Sequence, residues 1–426
     1  MRSLRFAVIV LSLLPLTAVA AGLSRTEKAI VAHVDAELTQ MIALLEQSVN
    51  IDSATENLEG VRAVGDLYET SLSKLGFATR WIEMPEGFGR AGHLVAERNG
   101  RKGKRILLIG HLDTVLEGPE MRWQLDGDAA RGSGTVDMKG GNLIVIAALS
   151  ALHRARALDD RRIVVYFTGD EEAPGRPISI SRGDFIDVAK RSDIALGFEA
   201  SVGSTATVGR RGVTTWRLEV DAVTAHSSGI FSENTGSGAI FEISRIIHAF
   251  HDELKGEEFL TFNASVIAGG TEVTYSDEEW GGTASGKSNV VPPKAVAAGD
   301  LRFISEEQRE SVKHRMREIV ARHLPRTSAS ITFSDSYPPM APTEGNYAIL
   351  AELDRVSRDL GYGEVPAFDP GQRGAGDISF VASYVDGLDG IGARGAGSHT
   401  PDERLDLASM PELIKRTAIL IYRLTR

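Results

Sequence analysis

The apolar run Ile106–Gly110 ends directly in His111 and Asp113, and a second run, from Arg162 to Phe167, empties into Thr168, Gly169 and the acids Asp170, Glu171 and Glu172. Short aliphatic, β-branched and aromatic runs that do not alternate with polar residues read as strands buried on both faces of a parallel sheet. In open α/β sheets, the groups that do chemistry gather at the carboxyl ends of such strands. The expected fold class is therefore α/β, with a catalytic domain whose mostly parallel central sheet is flanked by helices. A leading helix is expected around Lys28 to Ser48, and another over Gly140 to Leu152, after the loop that carries Asp137.

Adjacent carboxylates such as Glu171 and Glu172 repel unless a cation neutralises them, and a metal does so while leaving one neighbour free to accept a proton. His111, Asp137 in GTVDMKGG, Glu199 in GFEA and His399 in GSHTPDE extend this pair into a dispersed set of acids and imidazoles. Such donors suit borderline divalent metals, zinc among them. Asp113, two residues beyond His111 on the same extended segment, is placed to accept the ring N–H and fix its tautomer, or simply to stabilise a turn.

His399 comes only near the end of the chain, so meeting His111 requires the chain to leave the catalytic domain and return. The expected division is a leader over 1–20, catalytic segments over 21–212 and 335–426, and between them an inserted two-layer α+β lid over 213–334. The lid opens on the alternating VTTWRLEVDAV and carries helices around Ala239 to Leu254 and Glu306 to His323. Its strands are FLTFNASVIAG and KAVAAGDLRF, and the Gly-, Ser- and acid-rich stretch Gly269 to Ser288 reads as a loop. Within that stretch Trp280 is either an aromatic contact for a bulky acyl group or packing for its own loop.

At 426 residues and 42% hydrophobic composition the chain can bury more than one core. The formal charge is −11, and losing Arg2 and Arg5 with the leader leaves 45 basic against 58 acidic residues, or −13; this argues against nucleic acid as a partner. With no cysteine, disulfides and thiolate chemistry are excluded, and every metal ligand must be His, Asp or Glu. Arg2 and Arg5, the apolar FAVIVLSLLPLTAV and the Ala18-Val19-Ala20 site read as a cleavable export signal. Pro15 and the short apolar length argue against a membrane anchor, so a periplasmic or secreted product without stable membrane association is expected.

The chain resembles the M20 family of dinuclear zinc peptidases, and within it the glutamate carboxypeptidase branch. The resemblance rests on GHLDTV, GTVDMKGG, TGDEE, the FEA following DIALG, TAHSSG, SNVVPPKAVAAGDLRF and GSHTPDERLD, in that order. It implies two Zn2+ per subunit, with cobalt and manganese as other occupants of such a carboxylate-rich site. His111 and Glu199 would hold one ion, Glu172 and His399 the other, and Asp137 would bridge them, with Glu171 as general acid/base and a cis bond from Asp137 to Met138. The lid would dimerise through an exposed strand or helix. His226, otherwise an ordinary structural histidine, would polarise the scissile carbonyl, sometimes across the dimer.

The same resemblance turns Asn289 and Arg302 towards substrate. An arginine fork suits a free carboxylate, although pairing with a nearby acid would explain Arg302 as well. The Gly371 to Asp377 loop, GQRGAGD, offers backbone N–H groups around Gly374 as a carboxylate cradle, or its glycines serve sterics alone. Arg373 and Ala375 depart from the family's usual GGGTDA, which leaves glutamate specificity open. No catalytic role is assigned to His33, His93, His153, His248, His251, His314 or His323.

The activity implied is removal of a C-terminal amino acid, glutamate-like first, from a small peptide or N-acyl amino acid. Alternatives are an aminoacylase, deacetylase or dipeptidase of the same superfamily, or a non-catalytic periplasmic binding protein.

Overall fold

Six strands form the central sheet in the order Ala78–Ile82, His93–Asn99, Arg161–Thr168, Lys102–His111, Ile194–Gly197 and Gly387–Leu388. The computed structural model describes residues 22–118, 121–277 and 279–426, so the expected leader lies outside the described residues. The four strands from Arg161–Thr168 to Gly387–Leu388 run parallel, and the first two pair antiparallel at one edge. Register sets Gly110 opposite Phe167 and His111 opposite Thr168, so both acid-bearing turns leave the sheet at the same end.

The apolar runs are buried on both faces. Ile106, Leu108, Ile163 and Val165 face one hydrophobic cluster, while Leu107, Ile109, Val164 and Tyr166 face another, as period-2 geometry requires. Helices Arg25–Val49, Lys139–Arg154 and Met410–Leu424 cover the first face. The first of these begins at Ser24, whose hydroxyl accepts from the Glu27 N–H while the Glu27 carboxylate accepts from Ser24 N–H. Both expected helices are present, each extended by a few residues.

A second sheet is antiparallel, in the order Thr261–Gly270, Lys294–Phe303, Gly212–Ala222 and Thr327–Tyr337. Trp216, Leu218, Val220, Ala295, Ala297, Leu301 and Phe303 point to one side, against helices Ala239–Leu254 and Glu306–Ala321. After this unit the chain returns through helix Glu344–Asp359 to the first core, where Leu353, Val356, Leu413 and Ile419 are buried.

One expectation needs correction. Gly269 to Ser288 is not a loop throughout but contains a hairpin, Glu272–Ser276 paired with Gly281–Ser285. Val273, Thr274 and Tyr275 favour strand, Thr274 and Thr283 share a hydroxyl contact of 2.8 Å, and Asp277 pairs with Arg217 of the four-stranded sheet. Trp280 sits half exposed at the hairpin turn with φ +49°. No described helix is long and apolar enough to cross a membrane.

The TGDEE turn is tied to the GAGD loop by a buried charge network. Arg182, fully buried, donates from Nε to Asp377 at 2.9 Å and also binds Asp170, while Ser181 Oγ donates to Asp170 at 2.6 Å and Thr168 donates to Asp377. Removing the cation strands two buried carboxylates. Arg182→Met is expected to lower the unfolding free energy by about 3–5 kcal/mol in urea titrations at constant metal loading. Replacing the 90% exposed Arg101 serves as control and should change it by less than about 0.5 kcal/mol; equal effects would contradict the network's role.

Candidate metal centre

Four loops at the carboxyl end of the parallel sheet bring the sequence-identified acids and histidines together. His111 ends its strand and is buried, with Nε2 3.2 Å from Asp137 Oδ1 and 3.7 Å from Glu199 Oε1. His399, held at φ +63° in the C-terminal loop, places Nε2 3.2 Å from Asp137 Oδ2 and 3.2 Å from Glu172 Oε2. The two oxygens of Asp137 thus face two separate half-sites.

This spacing fits metal ligation. Donors about 2.0–2.2 Å from a tetrahedral zinc stand roughly 3.3–3.6 Å apart. The sets His111, Asp137, Glu199 and Asp137, Glu172, His399 each offer ligand atoms within 4.8 Å of one another. Glu172 Oε1 is buried without a hydrogen-bond partner, a cost that an ion would relieve. Glu171 lies beside the cluster, with Tyr337 Oη donating to its backbone carbonyl at 2.6 Å.

The chain invests heavily in placing Asp137. Glu403, buried, accepts from Gly134 N–H at 2.9 Å, Val136 N–H at 2.7 Å and Asp137 N–H at 3.0 Å. The bond from Asp137 to Met138 is cis, as the resemblance implied. Asn142 Nδ2 donates to the His111 carbonyl at 2.6 Å. Glu403 went unassigned in the sequence reading although it lies in the same HTPDE motif as His399.

Asp113 differs from the expected geometry. The carbonyl of Asp113, not its carboxylate, is the nearer acceptor for His111 Nδ1, at 2.9 Å against 3.4 Å. The carboxylate instead accepts from Glu171 N–H and Glu172 N–H, both at 3.0 Å, and from Thr55 Oγ1 at 2.7 Å. It orients both glutamates, because a two-residue spacing lets the backbone reach the ring first. His93 is a buried structural residue: Gly169 N–H donates to its Nδ1 at 3.1 Å, so Nε2 donates to the Ser181 carbonyl at 2.7 Å.

A family model described as Peptidase family M20/M25/M40 matches residues 107–423. The chain belongs to this family. It is 26% identical over 397 residues to carboxypeptidase G2 of Pseudomonas sp. (strain RS-16), covering 91% of this chain and 90% of that one. It is also 26% identical over 396 residues to a succinyl-diaminopimelate desuccinylase of Dinoroseobacter shibae, covering 88% and 97%. Its fold is similar to that of the YXEP protein of Bacillus subtilis, a dinuclear metal binding peptidase from the M20 family, with TM-score 0.63, 15% identity and coverage of 92% and 99%. This M20 chain is accordingly a metal-dependent hydrolase, which sets aside the binding-protein alternative.

The remaining candidates of this M20 chain stand apart from the cluster. His226 is exposed, its Nδ1 2.9 Å from Ser228 Oγ; Asn289 is exposed, its carbonyl accepting from Ser227 N–H at 2.9 Å. Arg302 Nε donates to Asp300 at 2.8 Å, the nearby acid weighed against a substrate role. Among the described residues no hydrogen bond or ion pair joins these three to the metal-type side chains. Gly374 is exposed, and in its loop the Gly374 and Ala375 carbonyls accept from Arg210 Nη1 at 3.0 and 2.8 Å. A groove of about 670 Å3 between helices Arg25–Val49 and Leu58–Lys74 shares no residue with the cluster.

Without ions the cluster holds protons. Burial, then Asp137, pushes Glu199 up to about 8. Burial and Glu199 raise Glu171 well above the usual carboxylate range. Hydrogen bonds to Asp137 and Glu172 raise His399 to about 11. A carboxyl with a raised folded pKa stabilises the fold fully below its unfolded value and loses that contribution as pH rises through the folded one. For Glu199 the window runs from 4.5 to about 8, and the raised His399 acts in the same direction above 6.5. Bound cations stabilise the deprotonated forms and displace these protons. The stabilisation conferred by metal, read as the melting-temperature difference between loaded and stripped protein, is therefore expected to grow as pH rises from 4.5 to 8. A constant or shrinking difference would contradict this charge arrangement.

Proposed function

We propose that this chain is an exported zinc-dependent exopeptidase or amidohydrolase that releases a C-terminal amino acid, glutamate-like first, from a small peptide or N-acyl amino acid. The observation that carries this reading is Asp137, one oxygen facing His111 and Glu199 and the other facing His399 and Glu172, with the half-buried Glu171 beside both half-sites, within ligand spacing of His111 and Glu172. The all-oxygen-and-imidazole donor set fits zinc, and cobalt or manganese are the competing occupants.

His111, Asp137, Glu199, Glu172 and His399 would hold two ions, which when bound supply Lewis-acid polarisation of a water molecule and of the scissile carbonyl. Glu171, held by Asp113 through its backbone, takes the proton from the attacking water; burial keeps its carboxyl basic enough for that task. The same carboxyl then delivers the proton to the leaving amine. His226 steadies the developing oxyanion, and Asn289 and Arg302 bind the substrate's free carboxylate.

Deacylation or dipeptide cleavage is the second reading, favoured by the desuccinylase among the relatives and by the commitment of Arg302 Nε to Asp300. A panel of N-acyl amino acids and dipeptides separates the two by which side of the amide tolerates bulk. Glu171→Gln is expected to cut turnover at least 100-fold while two ions per chain are still taken up, measured by elemental analysis. Undiminished turnover in the variant, or in chelated protein, would refute the mechanism.

The lid supports a homodimer that would bring His226 to the second copy's metal centre. Strand Thr261–Gly270 is a sheet edge, and near it Phe231, Ile240, Phe241 and Ile267 are exposed, the two phenylalanine rings 5.6 Å apart. Export and dimerisation are both read on protein recovered outside the cytoplasm. Intact mass should lack the first twenty residues, and light scattering should give twice the chain mass, falling to one chain in Phe241→Glu. A full-length or monomeric wild-type product would refute the corresponding claim.

A further inference from the structure

Three arginines crowd the site, and only two have carboxylate partners. Arg182 is shared by Asp170 and Asp377, and Arg210 pairs with Asp389 and two loop carbonyls. Arg373 is half-buried, yet among the described residues it forms no ion pair. One Nη donates to the Ala200 carbonyl at 2.9 Å, its guanidinium lies 6.0 Å from the Phe368 ring centre, and Nε is buried without a partner. Ala200 directly follows Glu199, so this cation borders the metal cluster.

A guanidinium stays charged at any physiological pH, and burying it unpaired is unfavourable. Of the carboxylates whose charge reaches it, Asp389 is already engaged by Arg210 and Glu199 and Asp137 belong to the metal cluster, while the positive charge of Arg210 further disfavours an unpaired neighbour. What Arg373 lacks, among the described residues, is a carboxylate free to pair with it. Its own loop offers none, since Asp377 is held by Arg182 and Gly374 and Ala375 turn carbonyls towards Arg210.

We propose that Arg373 is a specificity residue that pairs with a carboxylate of the substrate beside the metal centre. This rests on the hydrolase reading above and deepens it: the anion recognition sought in the backbone around Gly374 belongs to the side chain of Arg373. The preferred substrate then carries a carboxylate within reach of this fork in addition to any bound by the lid.

The test compares metal-loaded wild type, Arg373→Met and Arg373→Lys on N-acyl-glutamate, N-acyl-glutamine and the α-amide of N-acyl-glutamate. Wild type is expected to prefer carboxylate over amide at one of the two positions. Arg373→Met should erase that preference through a kcat/KM loss of about 10- to 100-fold on the carboxylate form, mainly in KM, and Arg373→Lys should restore part of it. A Met variant that slows all three substrates equally, or alters only metal affinity, would show a structural or charge-balancing role and overturn the proposal. If wild type cleaves none of them, the hydrolase reading fails on these substrates, and anion binding is still decided by thermal shift. Glutarate but not glutaramide should raise the wild-type melting temperature, and Arg373→Met should abolish the shift; no shift in wild type, or an equal one in the variant, overturns the proposal.

Discussion

Mutual repulsion among carboxylates at one end of a parallel sheet is the constraint on which the rest of this structure depends. Asp137, Glu171, Glu172 and Glu199 converge where water is largely excluded, and burial drives three of them towards the protonated form. Asp137 alone is pushed the other way: burial opposes its charge, but His111 and His399 bind its two oxygens. Proteins tolerate such a cluster when cations balance it. The donor geometry, the orphaned Glu172 oxygen and membership of a metal-dependent peptidase family all point to the same resolution.

The surrounding scaffold works to hold these charges in place. Asp113 and Glu403 are buried carboxylates that gather the backbone N–H groups of the Glu171-Glu172 turn and of the Asp137 loop. The Asp170, Arg182 and Asp377 network locks the back of the TGDEE turn. Each of these groups would be costly if left unpaired, so each rigidifies the loop it serves. A site built this way loses little freedom when ions and substrate bind.

Much of the site was legible because uninterrupted apolar runs announce strands buried on both faces, and His111, Thr168 and Glu199 follow such runs immediately. The supporting residues were less visible. Glu403 drew no assignment, His93 was given no catalytic role, and Asp113 read as a ring acceptor or a turn former; which backbone atom meets which carboxylate depends on loop paths that no local pattern encodes. The hairpin Glu272–Ser285 was hidden for a related reason: its glycines, serines and acids suit a loop, and its two strands are stabilised by each other and by Arg217, far away in sequence.

The sequence by itself determined the α/β class, because uninterrupted apolar runs specify strands buried on both faces, and the family, because its motifs stand in a recognisable order along the chain. Tertiary structure alone decided that Asp137 turns one oxygen to each half-site, that Asp113 serves the glutamates, and that Arg373 is a half-buried cation beside Glu199 with no ion pair among the described residues. Those outcomes depend on distances of a few ångströms between segments far apart in the chain, where hydrogen bonding and charge pairing are settled only once the sheet has set every loop in place.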